Sequence, residues 1–420
     1  MSTRARLQAC GCSRRRPGAA EISKASGPDN HVTMSNRMSQ FDGRLAVCPP
    51  LDDEQLTAIP ARRGVFLLAD ESGKPVLLAT AASIRARLRA RLTAPADQKR
   101  KRAADLRQVT RQIFWKLAGG HFETDLMFFE LARRIWPKEY VKMPAWKPAW
   151  FVGVNVADNV PHFVRTREVF AVGGRYFGPF ARARSAEEFV KAIQDAFDLC
   201  RDVRRLRLSS GVQSCTYAQI GRCLRPCDGS ISMDAYRAVL SRAADFAAGD
   251  REPLRRQLTR QMKQASGKLN FEAAADCKAR LDRLAAFDAR ALSYGRPVEQ
   301  FRYLLVQPSG SSRKAKLFLV DRGFIAAGKP LDFPLLDAQL RSVLDKMNRF
   351  VARRRTPGEP ERWRLGLVAR YLFSGDERKG LMFHWHGDVT VRQLRLAVEA
   401  AADRLRLRAP RKRGSVSEAR

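Results

Sequence analysis

Apolar and polar positions first follow a regular pattern at about residue 60. Residues 1–45 show little apolar periodicity and are rich in Arg, Ser and Gly, which predicts a disordered basic arm. The apolar runs 64–69 and 76–79 enclose the turn-forming sequence Asp-Glu-Ser-Gly-Lys-Pro, which predicts two strands joined by a turn. Ser83 then precedes apolar residues spaced four apart, so a capped helix is predicted to begin there.

The rest of the chain changes repeatedly between helical and strand-like spacing of apolar residues. Helical spacing predicts helices over 113–117, 126–136, 185–199, 233–247, 252–266 and 271–290. Short strands are expected in the aromatic-rich stretch 144–180, and the runs 301–306 and 315–320 predict a β-hairpin. Residues 335–410 are expected to be mostly helical, with a strand-like patch at 380–389.

Composition and charge narrow the class of protein. A chain of 420 residues with 45% apolar residues is long enough for two to four domains with real cores. It contains no apolar run of about 18 residues, so no membrane span or membrane partner is predicted. The net charge of +35 points to nucleic acid as the main partner. No secretory signal precedes the domains, so a cytoplasmic location is expected.

Four of the eight cysteines are closely spaced. Cys200, Cys215, Cys223 and Cys227 follow the pattern C-x14-C-x7-C-x3-C. Because a reducing compartment disfavours disulfides, these thiols are better candidates for a soft metal site, either zinc or an iron–sulfur cluster. The absence of paired C-x2-C spacing makes zinc the weaker alternative.

Three motifs, in order along the chain, resemble the C subunit of the bacterial UvrABC excinuclease. Residues 176–180 read YFGPF, residues 215–227 read CTYAQIGRCLRPC, and residues 269–275 read LNFEAAA. The resemblance covers about residues 57–290. It implies a role in nucleotide excision repair, a four-iron–four-sulfur cluster on the four cysteines, and a UVR helical hairpin at about 252–288 that binds the B subunit.

The resemblance also implies a GIY-YIG nuclease domain at 57–140, but the sequence departs from that pattern. Such a domain uses two tyrosines, a helix arginine and a glutamate that holds one divalent metal, Mg²⁺ or Mn²⁺. Phe66 and Leu77 stand at the tyrosine positions, and Thr80 stands at a lysine position. Arg87 and Glu130 match the arginine and the glutamate. Two phenolic hydroxyls are therefore missing, which predicts a crippled site.

Simpler interpretations of the two matching residues remain open. Arg87 lies in an Arg-rich helix and can be an ordinary solvated side chain. Glu130 can be a helix-surface carboxylate that pairs with Arg134, four residues further on. Residue types alone do not separate these interpretations from remnants of a nuclease.

The predicted UVR hairpin has two apolar stripes that a partner could cover. They consist of Leu254, Leu258, Met262 and Ala265 on one helix and of Ala274, Cys277, Leu281 and Leu284 on the other. Phe271 lies at the turn, where the resemblance places an aromatic contact with the partner. Leu258, Met262, Phe271 and Ala274 are therefore the candidate partner-binding residues; packing within the chain is the alternative.

Two runs of basic residues are the candidate DNA contacts. The residues are Lys99, Arg100, Lys101, Arg102, Arg353, Arg354 and Arg355. Each run can neutralise several phosphates, and no base-reading motif accompanies them. Recognition of the backbone and the shape of damaged duplex DNA is therefore expected.

Together these patterns predict a modular α/β multidomain protein. The expected order is a basic arm (1–45), a degenerate GIY-YIG-like domain with a small mixed sheet (57–140), a cysteine cluster domain (144–232), a helical region with the UVR hairpin (233–292), a β-hairpin segment (298–330) and an α+β region (331–420) that is mostly helical and without an assigned role. No RNase H-type nuclease is found after the hairpin segment. The predicted function is DNA-binding excision repair with weak or absent incision; the alternative is an active structure-specific endonuclease that makes the 3′-side incision.

Overall fold

The apolar runs at 64–69 and 76–79 form neighbouring strands in the computed structural model of the protein. The structure describes residues 38–49, 51, 53–92, 105–207, 215–285, 287, 295–310, 313–374, 380–385, 387, 389–405 and 407. All the elements named below lie in residues 40–420, which form one unit. Within these described ranges there are three sheets and twelve α-helices, as the predicted α/β class requires. The individual domain assignments stay predictions.

The first sheet has four antiparallel strands in the order β1-β4-β2-β3. The strands are β1 (Gly43–Ala46), β2 (Gly64–Ala69), β3 (Pro75–Ala81) and β4 (Gln112–Leu117). The helices of this region are α1 (Ile84–Leu92), α2 (Leu106–Val109) and α3 (His121–Ile135). One face of the sheet packs against α1 and a short 3₁₀ helix, Gln55–Ala58. The predicted strand–turn–strand unit and the helix after Ser83 are confirmed.

Three predictions for this region are wrong in detail. Residues 113–117 are strand, not helix: Ile113 and Leu117 have helical spacing, but β4 is held between β1 and β2. The predicted disordered arm ends too late, because Gly43–Ala46 pairs with β4 about 70 residues further on. The sheet predicted as mixed is antiparallel in every described strand pair.

The second sheet has the order β6-β5-β7-β8 and supports the cysteine-rich region. Its strands are β5 (Trp150–Val154), β6 (Val164–Thr166), β7 (Arg175–Phe180) and β8 (Arg296–Pro297). The next helices are α4 (Ala183–Phe197), α5 (Val203–Arg207), α6 (Thr216–Gln219) and α7 (Met233–Ala247). Aromatic residues of the sheet and helices, including Phe177, Phe189 and Phe246, form one buried core. The helix predicted at 233–247 is confirmed.

The predicted helical hairpin is present. It consists of α8 (Glu252–Gly267) and α9 (Phe271–Ala285). The turn between them passes through Leu269, whose φ is +59°, a left-handed conformation that closes the turn tightly. Leu258 and Leu284 at the base of the hairpin join the core that α4 and α7 also build.

The third sheet lies in the C-terminal region and has the path β11-β10-β9-β13, with β12 also paired to β10. The strands are β9 (Arg302–Pro308), β10 (Lys314–Asp321), β11 (Phe324–Ala327), β12 (Leu331–Asp332) and β13 (Leu381–His384). Three helices accompany it: α10 (Asp337–Ala352), α11 (Glu359–Leu372) and α12 (Val391–Arg404). The β9–β10 hairpin and the helical character of 335–410 are confirmed. No helix in the described part of the chain is long and apolar enough to cross a membrane.

Helix α3 joins the first sheet to the C-terminal region. The Phe122 ring packs edge-on against Phe318 of β10 and Tyr371 of α11, with centroid distances of 5.2 and 5.1 Å. Lys316 forms an ion pair with the buried Glu123. Gly366 of α11 lies directly on the backbone before β5, since a Cβ there would collide with a carbonyl oxygen of that segment. The N-terminal and C-terminal parts therefore share buried surface.

Candidate functional site

The four predicted metal-binding cysteines come from three places between α4 and α7. Cys200 lies just after α4, Cys215 is the residue before α6, and Cys223 and Cys227 lie in the loop that leads to α7. Cys200, Cys223 and Cys227 are buried, with 3, 8 and 7% exposure, and Cys215 is partly exposed.

Hydrogen bonds, burial and neighbouring charges shift the pKa values of these thiols in opposite directions. The Cys200 thiol hydrogen bonds to Cys223, which lowers the pKa of Cys223 to about 6 and raises that of Cys200. The backbone N–H of Arg225 donates to Cys223 Sγ at 3.4 Å and favours the thiolate further. Burial raises the pKa of Cys227, and the neighbouring charges of Cys223 and Cys215 add to this effect. Cys200, Cys223 and Cys227 therefore interact electrostatically, and Cys215 interacts with Cys227.

The chemical type of the four side chains suits a soft metal, but their positions do not form a metal site. Four thiols, three of them buried, are the ligands that zinc and iron–sulfur clusters prefer, and backbone N–H donation to sulfur is typical of such sites. Across the described residues, however, no three His, Cys, Asp or Glu side chains are placed to hold a metal ion. Binding would therefore require the four thiols to be rearranged.

The two tyrosine positions of the GIY-YIG pattern lie on one face of the first sheet. Leu68 pairs with Leu77 and Phe66 pairs with Ala79, so Phe66 and Leu77 project to the same side. That side is filled by an apolar core in which Leu56 and Ile59 lie below β2 and β3. Phe66 has 0% exposure and Leu77 is half-buried.

The other nuclease candidates do not join Phe66 and Leu77. Thr80 is exposed and pairs with Val65, so it projects to the opposite face of the sheet. Arg87 is exposed on α1. Glu130 accepts hydrogen bonds from Arg364 of α11 at 2.7 Å and from Arg133 at 3.1 Å. The ion pair predicted with Arg134 is therefore with Arg133, and the stronger contact comes from a helix more than 200 residues away.

The hairpin candidates differ in accessibility. Phe271, the first residue of α9, is 66% exposed and therefore available to a partner. Met262 and Ala274 are half-buried between the helices. Leu258 has 1% exposure and belongs to the internal core, so its prediction as a partner contact is wrong.

The residues of the two basic runs differ in their surroundings. Lys99, Arg100, Lys101 and Arg102 lie outside the described residues. Arg353 and Arg354 are exposed after α10. Arg355 instead stacks on Phe350 and Phe324, at 3.9 and 4.3 Å, and pairs with the fully buried Asp321 at 3.7 Å. These contacts give Arg355 a structural role in pairing with a buried carboxylate, whereas its role as a DNA contact stays a prediction.

A polar cavity that the sequence did not predict lies between α3, β3 and the end of α11. It contains a hydrogen bond from the Tyr371 hydroxyl to Asp125 Oδ2 at 2.9 Å. The two residues are 246 positions apart. Neither of them lies in a motif, so no local signal marks the cavity.

Comparison with known proteins supports the resemblance. Residues 149–246 match the family model of the UvrC/Cho excinuclease, middle domain. UvrABC system protein C of Moorella thermoacetica is 28% identical over 225 residues, which is 53% of this chain and 36% of the relative. The proteins of the same name from Leptospira biflexa and Desulforudis audaxviator are 27 and 29% identical, over 55 and 54% of this chain and 37 and 36% of their own length. No solved structure matches.

These matches confirm the predicted similarity to part of the UvrABC system protein C. The similarity is firmest in the region that holds β5–β7, α4 and the cysteines. The matched segment spans little more than a third of each relative.

Proposed function

We propose that this protein binds DNA and acts in nucleotide excision repair as a relative of the UvrABC system protein C. In this proposal it docks the B subunit on damaged DNA through the α8–α9 hairpin and has weak or absent incision activity. The similarity of residues 149–246 to the excinuclease middle domain supports the repair role. The charge of +35 supports binding to the DNA backbone.

The burial of Phe66 is the observation that carries the loss of incision. A GIY-YIG site needs a phenolic hydroxyl next to the scissile phosphate, whereas Phe66 lacks the hydroxyl and has 0% exposure. Leu56 and Ile59 belong to the same buried apolar core as Phe66. Losing a proton-transferring group costs about 10²-fold or more in rate, and a blocked face prevents substrate approach altogether.

The test is an incision assay on lesion-containing duplex DNA with Mg²⁺ or Mn²⁺, with and without the B subunit. The expected result is at most a small fraction nicked over hours, unchanged by Glu130→Gln. That variant keeps an oxygen acceptor for Arg364 and removes the charge that a metal would need. Robust 3′-side incision that disappears in Glu130→Gln would instead establish the active endonuclease.

Within the same proposal, Cys200, Cys215, Cys223 and Cys227 hold a four-iron–four-sulfur cluster, with zinc as the alternative. Three buried thiols and the N–H donated to Cys223 support this assignment. When bound, the metal centre would act structurally by cross-linking the end of α4 to the loop between α6 and α7. This would stabilise the region because the thiols are held apart in the unfolded chain.

Metal analysis of anaerobically purified protein tests the assignment. Stoichiometric iron and sulfide with a brown colour are expected, and Cys223→Ala should lose both. Cys277→Ala is the matched control, since Cys277 lies in α9 outside the four-cysteine group. Stoichiometric zinc in a colourless protein would favour the alternative, and protein free of both metals would contradict a metal site.

A further inference from the structure

The polar cavity at the end of α11 has a volume of about 220 Å³. Three parts of the chain contribute to it: the first turns of α3, the end of β3 with the loop before β2, and the end of α11. Its polar lining residues are Arg63, Thr80, His121, Thr124, Asp125, Arg370, Tyr371 and Ser374. It is distinct from the tyrosine face of the first sheet, because Thr80 projects to the side opposite Phe66.

Most polar groups around this cavity are hydrogen-bond donors. Arg63 Nη1 lies 3.4 Å from His121 Nδ1. Because a guanidinium only donates, Nδ1 is the acceptor in this contact when His121 is neutral, and the other ring nitrogen then carries the proton. Two guanidinium groups, one imidazole N–H and the Thr80 hydroxyl therefore line the same space.

The cavity lining contains one carboxylate, Asp125. It accepts the hydrogen bond from Tyr371 at 2.9 Å, which connects α3 to α11. Burial raises the pKa of Asp125, and the Tyr371 hydrogen bond and the charges of Arg370, His121 and Arg63 oppose that rise. The carboxylate therefore lies within electrostatic range of Arg370, Arg63 and the His121 ring. With two guanidinium groups and one carboxylate, the lining has a net charge of +1 when His121 is neutral.

We propose that this cavity binds a phosphate group. Guanidinium groups bind phosphate oxygens through paired, charge-assisted hydrogen bonds, and Arg63 and Arg370 approach from separate elements. The 15-residue helix α3 also begins here, but Glu123 of its first turn already accepts the Gly119 N–H at 2.7 Å, so the preference for an anion comes from the two guanidinium groups. A metal cation would meet two arginines and a single carboxylate.

The phosphate can belong to a strand end of DNA or to a small molecule, since both present the same oxygens. This inference does not rest on the proposed repair function. Excision repair can be correct while the cavity is empty of phosphate, and the cavity can bind phosphate in a protein with another role.

Calorimetric titration of the full chain with inorganic phosphate, at constant ionic strength, tests the site. Saturable binding is expected, and Arg370→Gln should weaken it about ten-fold or more, the effect of losing a charged hydrogen bond. Arg392→Gln is the matched control, because Arg392 is exposed on α12 outside the cavity lining and undergoes the same charge change. Equal affinity in Arg370→Gln and wild type, or no saturable binding by wild type, would overturn the proposal.

Two further variants test whether the site prefers an anion and do not depend on Arg370→Gln remaining folded. Arg370 also donates to the Ala145 carbonyl at 3.2 Å, so replacing it removes a tertiary contact as well as a charge. Thr80 is exposed, so Thr80→Asp adds a negative charge to the cavity without removing such a contact. Thr80→Asp should weaken phosphate binding. Asp125→Asn keeps an acceptor for Tyr371 and removes a negative charge, so it should strengthen binding several-fold; weaker binding in Asp125→Asn would contradict an anion site.

Oligonucleotides separate the two sources of phosphate. Duplexes with a 5′-phosphate, a 3′-phosphate or only hydroxyl ends are compared, each with wild type and Arg370→Gln. A preference for one phosphorylated end that disappears in Arg370→Gln assigns the site to DNA ends. Equal binding of all duplexes, together with Arg370-dependent binding of inorganic phosphate, assigns it to a small phosphate ligand. Arg370-independent binding of every probe would refute the site.

Discussion

Phe66 is a fully buried side chain at a position that the GIY-YIG-like pattern predicts to be catalytic. Its ring occupies the place of the first tyrosine in the GIY-YIG-like pattern, on the central part of the first sheet. The ring is enclosed by an apolar core that includes Leu56, Ile59 and Leu88. The burial of the ring stabilises the sheet, and under the proposed function the same burial keeps DNA away from this side chain.

Restoring the tyrosines should therefore not restore incision. Phe66→Tyr places a hydroxyl in an apolar core and should lower the free energy of unfolding by about 1–3 kcal/mol, the cost of a buried polar group without a partner. Leu77→Tyr, at a half-buried position, is the control and should cost less. Urea unfolding and the incision assay measure both effects. Strong nicking by the double variant would show that the face can open to DNA.

Asp125 should make stability depend on pH in a direction opposite to that of most acids. Burial raises its folded pKa, so above about pH 4 the unfolded chain releases a proton that the folded state still holds. The folded state then binds more protons, and its stability falls as pH rises until the folded pKa is passed. Asp125→Asn removes this loss, so its stability relative to wild type should increase as pH rises above about 4 in urea unfolding, and should level off once the folded pKa of Asp125 is passed.

Asp70 supplies a control of opposite sign for that measurement. Hydrogen bonds from Ser72 and Lys74 lower its pKa, so its stabilising contribution is present at neutral pH and is lost on acidification. Asp70→Asn should therefore lose stability relative to wild type as pH rises. A stability difference for Asp125→Asn that does not change with pH would contradict the assignment of a raised pKa.

The helical hairpin is divided along its length into an internal base and an accessible tip. Leu258 and Leu284 pack into the core of the cysteine-rich region, whereas Phe271 and Leu269 at the turn are exposed. Two exposed apolar side chains at the tip of a hairpin are typical of a docking surface. The element therefore combines intramolecular packing with an available contact.

Substitutions at the two ends should have different effects. Phe271→Ala should weaken binding of the B subunit by about 2 kcal/mol or more and leave unfolding unchanged, as for an aromatic anchor at an interface. Leu258→Ala should lower the free energy of unfolding by about 2–5 kcal/mol, because it opens a cavity in the core. Titration with the B subunit and urea unfolding separate these outcomes. Unchanged binding by Phe271→Ala would assign partner docking to another surface.

The positive charge of the whole molecule is divided between exposed side chains and side chains that are paired inside the protein. Arg353 and Arg354 are exposed, while the adjacent Arg355 is held by Asp321 and two aromatic rings. Burial lowers the pKa of Arg355, and the Asp321 charge offsets part of that effect. A net charge of +35 therefore overstates the number of groups available to DNA.

DNA affinity should fall steeply with salt and depend little on sequence. Basic runs that neutralise roughly five to ten phosphates imply a decrease of about 10³-fold or more in affinity between 50 and 200 mM salt. Replacing Arg353 and Arg354 with Gln should reduce the slope of log affinity against log salt by about 0.9 for each phosphate that the protein no longer neutralises. Arg355→Gln is the matched control and should reduce stability instead of the slope. A wild-type slope of about one or two would contradict DNA as the main partner.

Local pattern determined most of the elements and the motifs of this protein. The strand–turn–strand unit, α7, α8 and the β9–β10 hairpin follow from the spacing of apolar residues and from turn chemistry, and all are present. The closely spaced cysteines are visible directly, since they lie within one short segment. These features depend on neighbours a few residues apart, which is the range over which a single sequence is informative.

Tertiary structure decided what those elements do. The strand at 112–117, the closure of the Phe66 face, the Glu130–Arg364 pair and the Asp125–Tyr371 cavity all depend on residues that meet across tens to hundreds of positions. Helical spacing at Ile113 and Leu117 was overridden because hydrogen bonding on both edges holds β4 in the sheet. Which charges pair, and which faces are covered, is set by packing energies that local periodicity does not contain.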